Sequence, residues 1–256
     1  MTDRQPSRNR WGVWPQWPVL TAATWSIVAI GLLAFELRGP IGATRLFVVA
    51  VGVTLAVESV LLWRSAREVA PPTADGPREI TLATWVTVVR AASVALLAGF
   101  ALTTPTGLAA WLPGVLFLIA AGFDAIDGAI ARLTDSVTDL GAKLDVEIDA
   151  LAVLVGTVVA IADGAVPTAF LLVGVARYLF VAGNWWRRRR GFPVRTLHSN
   201  PVRRPLGALA MLAIWLALLP VPDAALSRPI ATVVMVPFLL NFCWDWLAVT
   251  NRVGTE

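Results

Sequence analysis

Four aspartates in this chain keep helical spacing beside apolar runs: Asp124 and Asp127 stand three apart, Asp145 and Asp149 four apart. Residues at those separations share one face of a helix. They belong to the segment GFDAIDGAIARLTDSVTDLGAKLDVEIDALAVL, where six aspartates and one glutamate fall between Asp124 and Asp149 in a chain with only 17 acidic residues. The first pair reads as the end of one helix and the second as the start of the next. A short turn between the two helices brings all four carboxylates together. Asp135 and Asp139, lying between the pairs, read as a solvated loop.

Clustered carboxylates repel, and their charged forms are poorly solvated near a membrane. Divalent metal is the simplest means of keeping them ionised. Hard oxygen donors suit Mg²⁺, Mn²⁺ or Ca²⁺ and not zinc. Four negative charges balance two divalent cations, an arrangement that stabilises phosphoryl displacement. Gly128, Ala131, Gly141 and Ala142 are small residues that let a ligand approach the backbone. Arg132 adds a fork suited to a pair of phosphate oxygens.

The elements that must position these residues follow from composition. Of 256 residues, 57% are hydrophobic and 15% charged, with a mean hydropathy of +0.71. A soluble domain averages roughly 45–50% apolar and about 25% charged residues. A water-soluble enzyme and a disordered chain are therefore both disfavoured. One cysteine, Cys243, excludes an internal disulfide framework. The fold class expected is all-α and integral to the membrane, because lipid offers the backbone no hydrogen bonds.

Eight apolar runs serve as spans, at about 17–37, 46–63, 80–102, 109–123, 144–162, 168–185, 205–219 and 230–248. The expected organisation is a tail at 1–16, two extra helices at 17–64, a proline-bearing linker at 65–79, a six-helix core at 80–250 and a tail at 251–256. Sixteen basic residues fall in segments on the N-terminal side of the membrane and three (Arg38, Arg45 and Arg228) in the opposite loops. By the positive-inside bias both termini and the aspartate cluster are cytoplasmic, in a multi-pass cell-membrane protein. Many of the 12 tryptophans stand near the boundaries of the runs, where the indole ring favours the headgroup layer.

At the aspartates the sequence resembles the CDP-alcohol phosphotransferase family, whose pattern is D-x2-D-G-x2-A-R-x8-G-x3-D-x3-D. Every fixed position is met, at Asp124, Asp127, Gly128, Ala131, Arg132, Gly141, Asp145 and Asp149. The resemblance covers the six-span block and leaves the two front spans outside. Thr84-x2-Thr87-x2-Arg90 also looks like the family's opening N-x2-T-x2-R, with threonine at the asparagine position. The resemblance implies that Asp124, Asp127, Asp145 and Asp149 hold two divalent cations, Mg²⁺ or Mn²⁺, with Asp149 also the base toward the acceptor hydroxyl. It implies that Gly128, Ala131, Arg132 and Gly141 shape the CDP pocket, with Arg132 at the diphosphate. The reaction implied is attack of an alcohol on the β-phosphorus of a CDP-linked alcohol, here a CDP-lipid, with release of CMP in phospholipid biosynthesis. A homodimer is implied as well.

The branch is not assigned. Family branches read like LDPxADK, LDSLADxxSFG or LDSTLDR at the last two aspartates, and this chain has LDVEIDAL at Leu144–Leu151. Further basic residues are candidates for an acceptor or lipid phosphate: Arg195, Arg203 and Arg204 beside the seventh run, and Arg177 within the sixth. A charge at the depth of Arg177 needs a partner, either the aspartate site or a substrate phosphate, or a structural ion pair. Arg187 to Arg190 read as a topology signal with headgroup contact, and His198 as a loop residue. Glu147 reads as a surface residue, and Glu36, Glu58 and Asp245 as span-end acids that reach water. A divalent-cation transporter or channel is the alternative. It would place carboxylates along a path near the midplane, whereas these gather at one end of the bundle.

Overall fold

In the computed structural model, residues 16–37, 45–68, 82–122, 139–195 and 200–250 are described. All regular structure among them is helical. A helix accompanies each of the eight apolar runs: α1 (Gln16–Leu37), α2 (Arg45–Glu68), α3 (Leu82–Gly99), α4 (112–122), α5 (Asp139–Ala162), α6 (Leu171–Arg189), α7 (Arg203–Ala217) and α8 (Ala224–Val249). Among the described residues, five segments are long and apolar enough to cross a membrane: Pro18–Phe35, Arg45–Ser65, Trp85–Leu102, Thr168–Arg189 and Ala224–Val249. The other three stand outside that set for separate reasons. The apolar segment containing α4 is described as Gly107–Gly122, where the described residues stop. α7 has 15 residues, about 22 Å of helix against the ~30 Å of a hydrocarbon core. α5 has 24 residues, but its first half carries Asp139, Lys143, Asp145, Glu147 and Asp149.

α3 is the most buried of the five candidate spans and packs against α1, α2 and α5. Its alanine-rich face (Ala91, Ala92, Ala95, Ala98) is buried, which lets neighbouring helices approach closely, as small residues do between membrane helices. The two front helices are integrated into this packing. Phe47 of α2 meets Phe100 edge to face at 5.2 Å, and Phe35 of α1 joins both rings. At Gly156 of α5, an added Cβ would stand 2.6 Å from the Phe117 ring and 2.8 Å from Ile214. Glycine there is what allows α4, α5 and α7 to meet.

The helix ends carry their own signals. Asp223 caps α8, accepting a hydrogen bond from the Leu226 amide at 3.3 Å. α6 closes on Gly191 at φ +73°. The Phe192 amide donates to the Arg187 carbonyl and the Gly191 amide to that of Arg188, the paired bonds of a Schellman motif. The last turn of α6 holds Arg187, Arg188 and Arg189, whose charge suits the negative end of the helix dipole.

Candidate active site at the α3–α4–α5 junction

α5 begins at Asp139, before the expected start near residue 144. It carries Gly141, Asp145 and Asp149 at successive four-residue steps, one above another on a single face. α3 presents Thr87 and Arg90, three apart, toward that face. The Arg90 guanidinium donates from Nη1 to Asp145 Oδ1 at 2.5 Å and from Nη2 to Asp149 Oδ1. Its Nε donates to the Ala120 carbonyl of α4 at 2.7 Å. Thr87 Oγ1 donates to Asp145 Oδ1 at 3.4 Å.

One side chain therefore joins three helices. Arg90 is fully buried, at 0% exposure, while the two aspartate side chains keep 26% and 25%. A buried guanidinium is strongly unfavourable unless its donors are met by acceptors. Two carboxylates and a helix carbonyl meet them here. The carboxylates in turn have their charge partly offset while remaining open enough to receive a ligand. Arg90 lay in the sequence as the last residue of Thr84-x2-Thr87-x2-Arg90, and no site role was assigned to it. A charge within the apolar run 80–102 was the signal that it must meet an acid.

Asp124, Asp127, Gly128, Ala131 and Arg132 lie outside the described residues, as does His198. Ala120, the acceptor for Arg90 Nε, stands four residues before Asp124 in the chain. No group of three or more metal-binding side chains occurs among the described residues. Asp145 and Asp149 contribute hard carboxylate oxygens only, a donor chemistry that fits Mg²⁺ or Mn²⁺.

The basic residues expected at a phosphate are placed differently from the aspartates. Arg177 donates from Nη2 to Glu147 Oε1 at 2.9 Å. Of the alternatives open for Arg177, the ion pair is the one observed, with the part-exposed Glu147 as its partner. Arg203 makes a two-pronged pair with Asp245, Nε to Oδ2 at 2.9 Å and Nη2 to Oδ1 at 3.0 Å. Asn241 donates to the same carboxylate at 3.2 Å, and Asn200 donates to Asn241 at 2.7 Å. This network fastens the start of α7 to the end of α8. Asp245, expected to reach water, is buried, because the Arg203 fork neutralises it in place. Arg195 and Arg204 are exposed. Arg189 lies over the Trp185 ring and Arg190 over the Trp186 ring, each at 5.2 Å. Such stacks suit a headgroup layer, where indole and guanidinium both reside.

Glu58 corrects another expectation. In place of reaching water from a span end, it is 6% exposed, because α1, α3 and α5 close over α2. Both its carboxyl oxygens are buried without a hydrogen-bond partner among the described residues. Glu58 lines a partly open pocket between α1, α2, α3 and α5, which also reaches Thr87. Glu36, the third acid of that set, has its side chain outside the described residues.

A family model described as CDP-alcohol phosphatidyltransferase matches residues 80–245. No curated protein and no solved structure matches significantly.

Proposed function

The chain belongs to the CDP-alcohol phosphatidyltransferase family, a family of transferases of substituted phosphate groups, and from that premise we propose the reaction, the residues and the topology as follows. The protein moves a phosphatidyl-type group from a CDP-alcohol, a CDP-lipid in this reading, to the hydroxyl of an acceptor alcohol and releases CMP. The observation that carries the assignment to this site is the Arg90 grip on Asp145 and Asp149, the last two aspartates of the motif. It holds both carboxylates on one face, at the end of α4 from which the chain runs on to Asp124 and Asp127.

Asp124, Asp127, Asp145 and Asp149 are the ligands for two divalent cations, Mg²⁺ or Mn²⁺. When bound, such cations neutralise phosphate charge and acidify a nearby hydroxyl. Asp149 takes the proton of the acceptor hydroxyl as its oxygen attacks the β-phosphorus. The carboxylate must be in place before the acceptor arrives, and the Arg90 bond to Asp149 Oδ1 supplies that preorganisation. Thr87 and Arg90 together orient Asp145. Arg132 grips the diphosphate, and Gly128, Ala131 and Gly141 leave room for the CDP moiety against the backbone.

In the topology proposed, α4, α5 and α7 also cross, completing a six-helix core with α1 and α2 as additions. The site faces the cytoplasm, both termini lie there, and the molecule is a homodimer. The charged first half of α5 supports a site at one end of the bundle, since ionisable groups gather where water and substrate reach them.

The test is release of CMP from a CDP-lipid by purified protein across a panel of acceptor alcohols, with the lipid product identified by mass. Asp149→Asn is expected to abolish turnover and to retain most of the CDP affinity. A variant that turns over like the wild type would remove Asp149 from its role as base.

A further inference from the structure

The cavity at Glu58 sits between the part of the chain that matches the family and the part that does not. Thr24 comes from α1, Glu58 and Ser59 from α2, Thr87 from α3, and Leu144 and Ile148 from α5. The first three precede the matched residues 80–245. Thr87 also bonds Asp145, and Leu144 and Ile148 flank Asp145 and Asp149 along α5, so the cavity and the reaction site share Thr87 and lie side by side.

Two hydroxyls of its lining give their protons to the backbone. Thr24 Oγ1 donates to the Leu20 carbonyl at 2.9 Å and Ser59 Oγ to the Leu55 carbonyl at 2.7 Å. Those bonds occupy the two hydroxyl protons, and Ser59 Oγ also accepts from Trp25 Nε1 at 3.2 Å, so these hydroxyls have no proton left for a ligand. The Glu58 carboxyl oxygens have no partner among the described residues, and no basic residue is among those lining the cavity. A buried carboxyl without a partner is costly, and a ligand that donates hydrogen bonds relieves that cost. Phosphate would meet a carboxyl group where it needs a cation. Two of the arginines expected for an anionic acceptor, Arg177 and Arg203, already hold carboxylates.

We propose that this cavity is the acceptor subsite: the Glu58 carboxyl receives a hydroxyl or ammonium group of the acceptor alcohol, so the acceptor is not phosphorylated. This rests on the transferase reading above. The two helices outside the family match thereby acquire a role in acceptor selection. Glu58 is a specificity-determining residue and takes no part in the chemical step.

The experiment compares glycerol, ethanolamine and glycerol 3-phosphate as acceptors for the full chain in detergent with Mg²⁺ and a CDP-lipid. Glycerol or ethanolamine is expected to support CMP release and glycerol 3-phosphate not. Glu58→Leu is expected to raise the acceptor KM about tenfold to hundredfold, with kcat within about threefold and CDP affinity unchanged. Glu58→Gln separates the two donor chemistries, retaining a hydroxyl acceptor and losing an ammonium one. Efficient use of glycerol 3-phosphate, or an acceptor KM indifferent to both substitutions, overturns the proposal. If no CMP appears with these three acceptors or across the wider panel of acceptor alcohols, the transferase reading fails, and the cavity is judged by a binding readout. Modification of Glu58 by a hydrophobic carbodiimide, followed by mass spectrometry, is then expected to slow in glycerol or ethanolamine but not in glycerol 3-phosphate. Equal labelling in all three overturns the subsite.

Discussion

Arg90 on α3 bonds Asp149 on α5 across 59 positions of sequence, and the same guanidinium bonds Asp145. The pairing makes the two carboxylates one unit with a common cation behind them. It also explains how a fully buried arginine is tolerated at the centre of an apolar bundle. Removing the cation leaves two carboxylates facing each other, and removing either carboxylate leaves part of the guanidinium unmet.

Arg90→Leu should therefore lower stability by about 3 kcal/mol, in the range for breaking a buried pair from one side. It should also abolish CMP release. Arg90→Lys keeps the charge but not the fork, so it should recover part of the stability and little of the activity. Thermal unfolding of purified protein alongside the CMP assay checks both. Full activity in Arg90→Lys would mean that charge alone, and not the two-pronged geometry, serves the site.

Chelation by EDTA should stop CMP release, and Mg²⁺ or Mn²⁺ should restore it. Because a cation held only by the folded site stabilises that state, the unfolding temperature should rise with added metal in wild type. The rise should shrink in Asp145→Asn. A metal response that survives this substitution would place the cation elsewhere.

The Arg177–Glu147 pair is partly exposed, with side-chain exposures of 38% and 26%. Such pairs contribute about 1 kcal/mol or less. Arg177→Gln and Glu147→Gln should leave kcat/KM within about threefold. A loss of a hundredfold in Arg177→Gln alone would show that this arginine meets substrate.

Arg203 and Asp245 should behave as a coupled pair. In a double-mutant cycle with Arg203→Gln and Asp245→Asn, unfolding free energies should show a coupling of about 1–2 kcal/mol. Additive effects would mean that the pairing contributes nothing to the docking of α7 on α8.

Much of the architecture was legible in the chain. Apolar runs mark all eight helices, since a segment in lipid has only its own backbone to bond. The family motif is legible too, because its spacings are local: Asp145 and Asp149 share a face through helix geometry alone. The length of α7 and the early start of α5 were less so, as helix limits depend on what the ends pack against. Glu58 and Asp245 were misread because position along a helix says nothing about which neighbours cover it.

The sequence by itself determined a membrane protein with four aspartates at separations of three and four residues and a specific family pattern around them. Tertiary structure decided which cation meets which acid: Arg90 with Asp145 and Asp149, Arg177 with Glu147, Arg203 with Asp245. It also decided that Glu58 faces a cavity with no partner among the described residues. The physical reason is range. Helical periodicity governs neighbours three or four residues apart, whereas these pairs join residues 30 to 59 positions apart and exist only once the helices have packed.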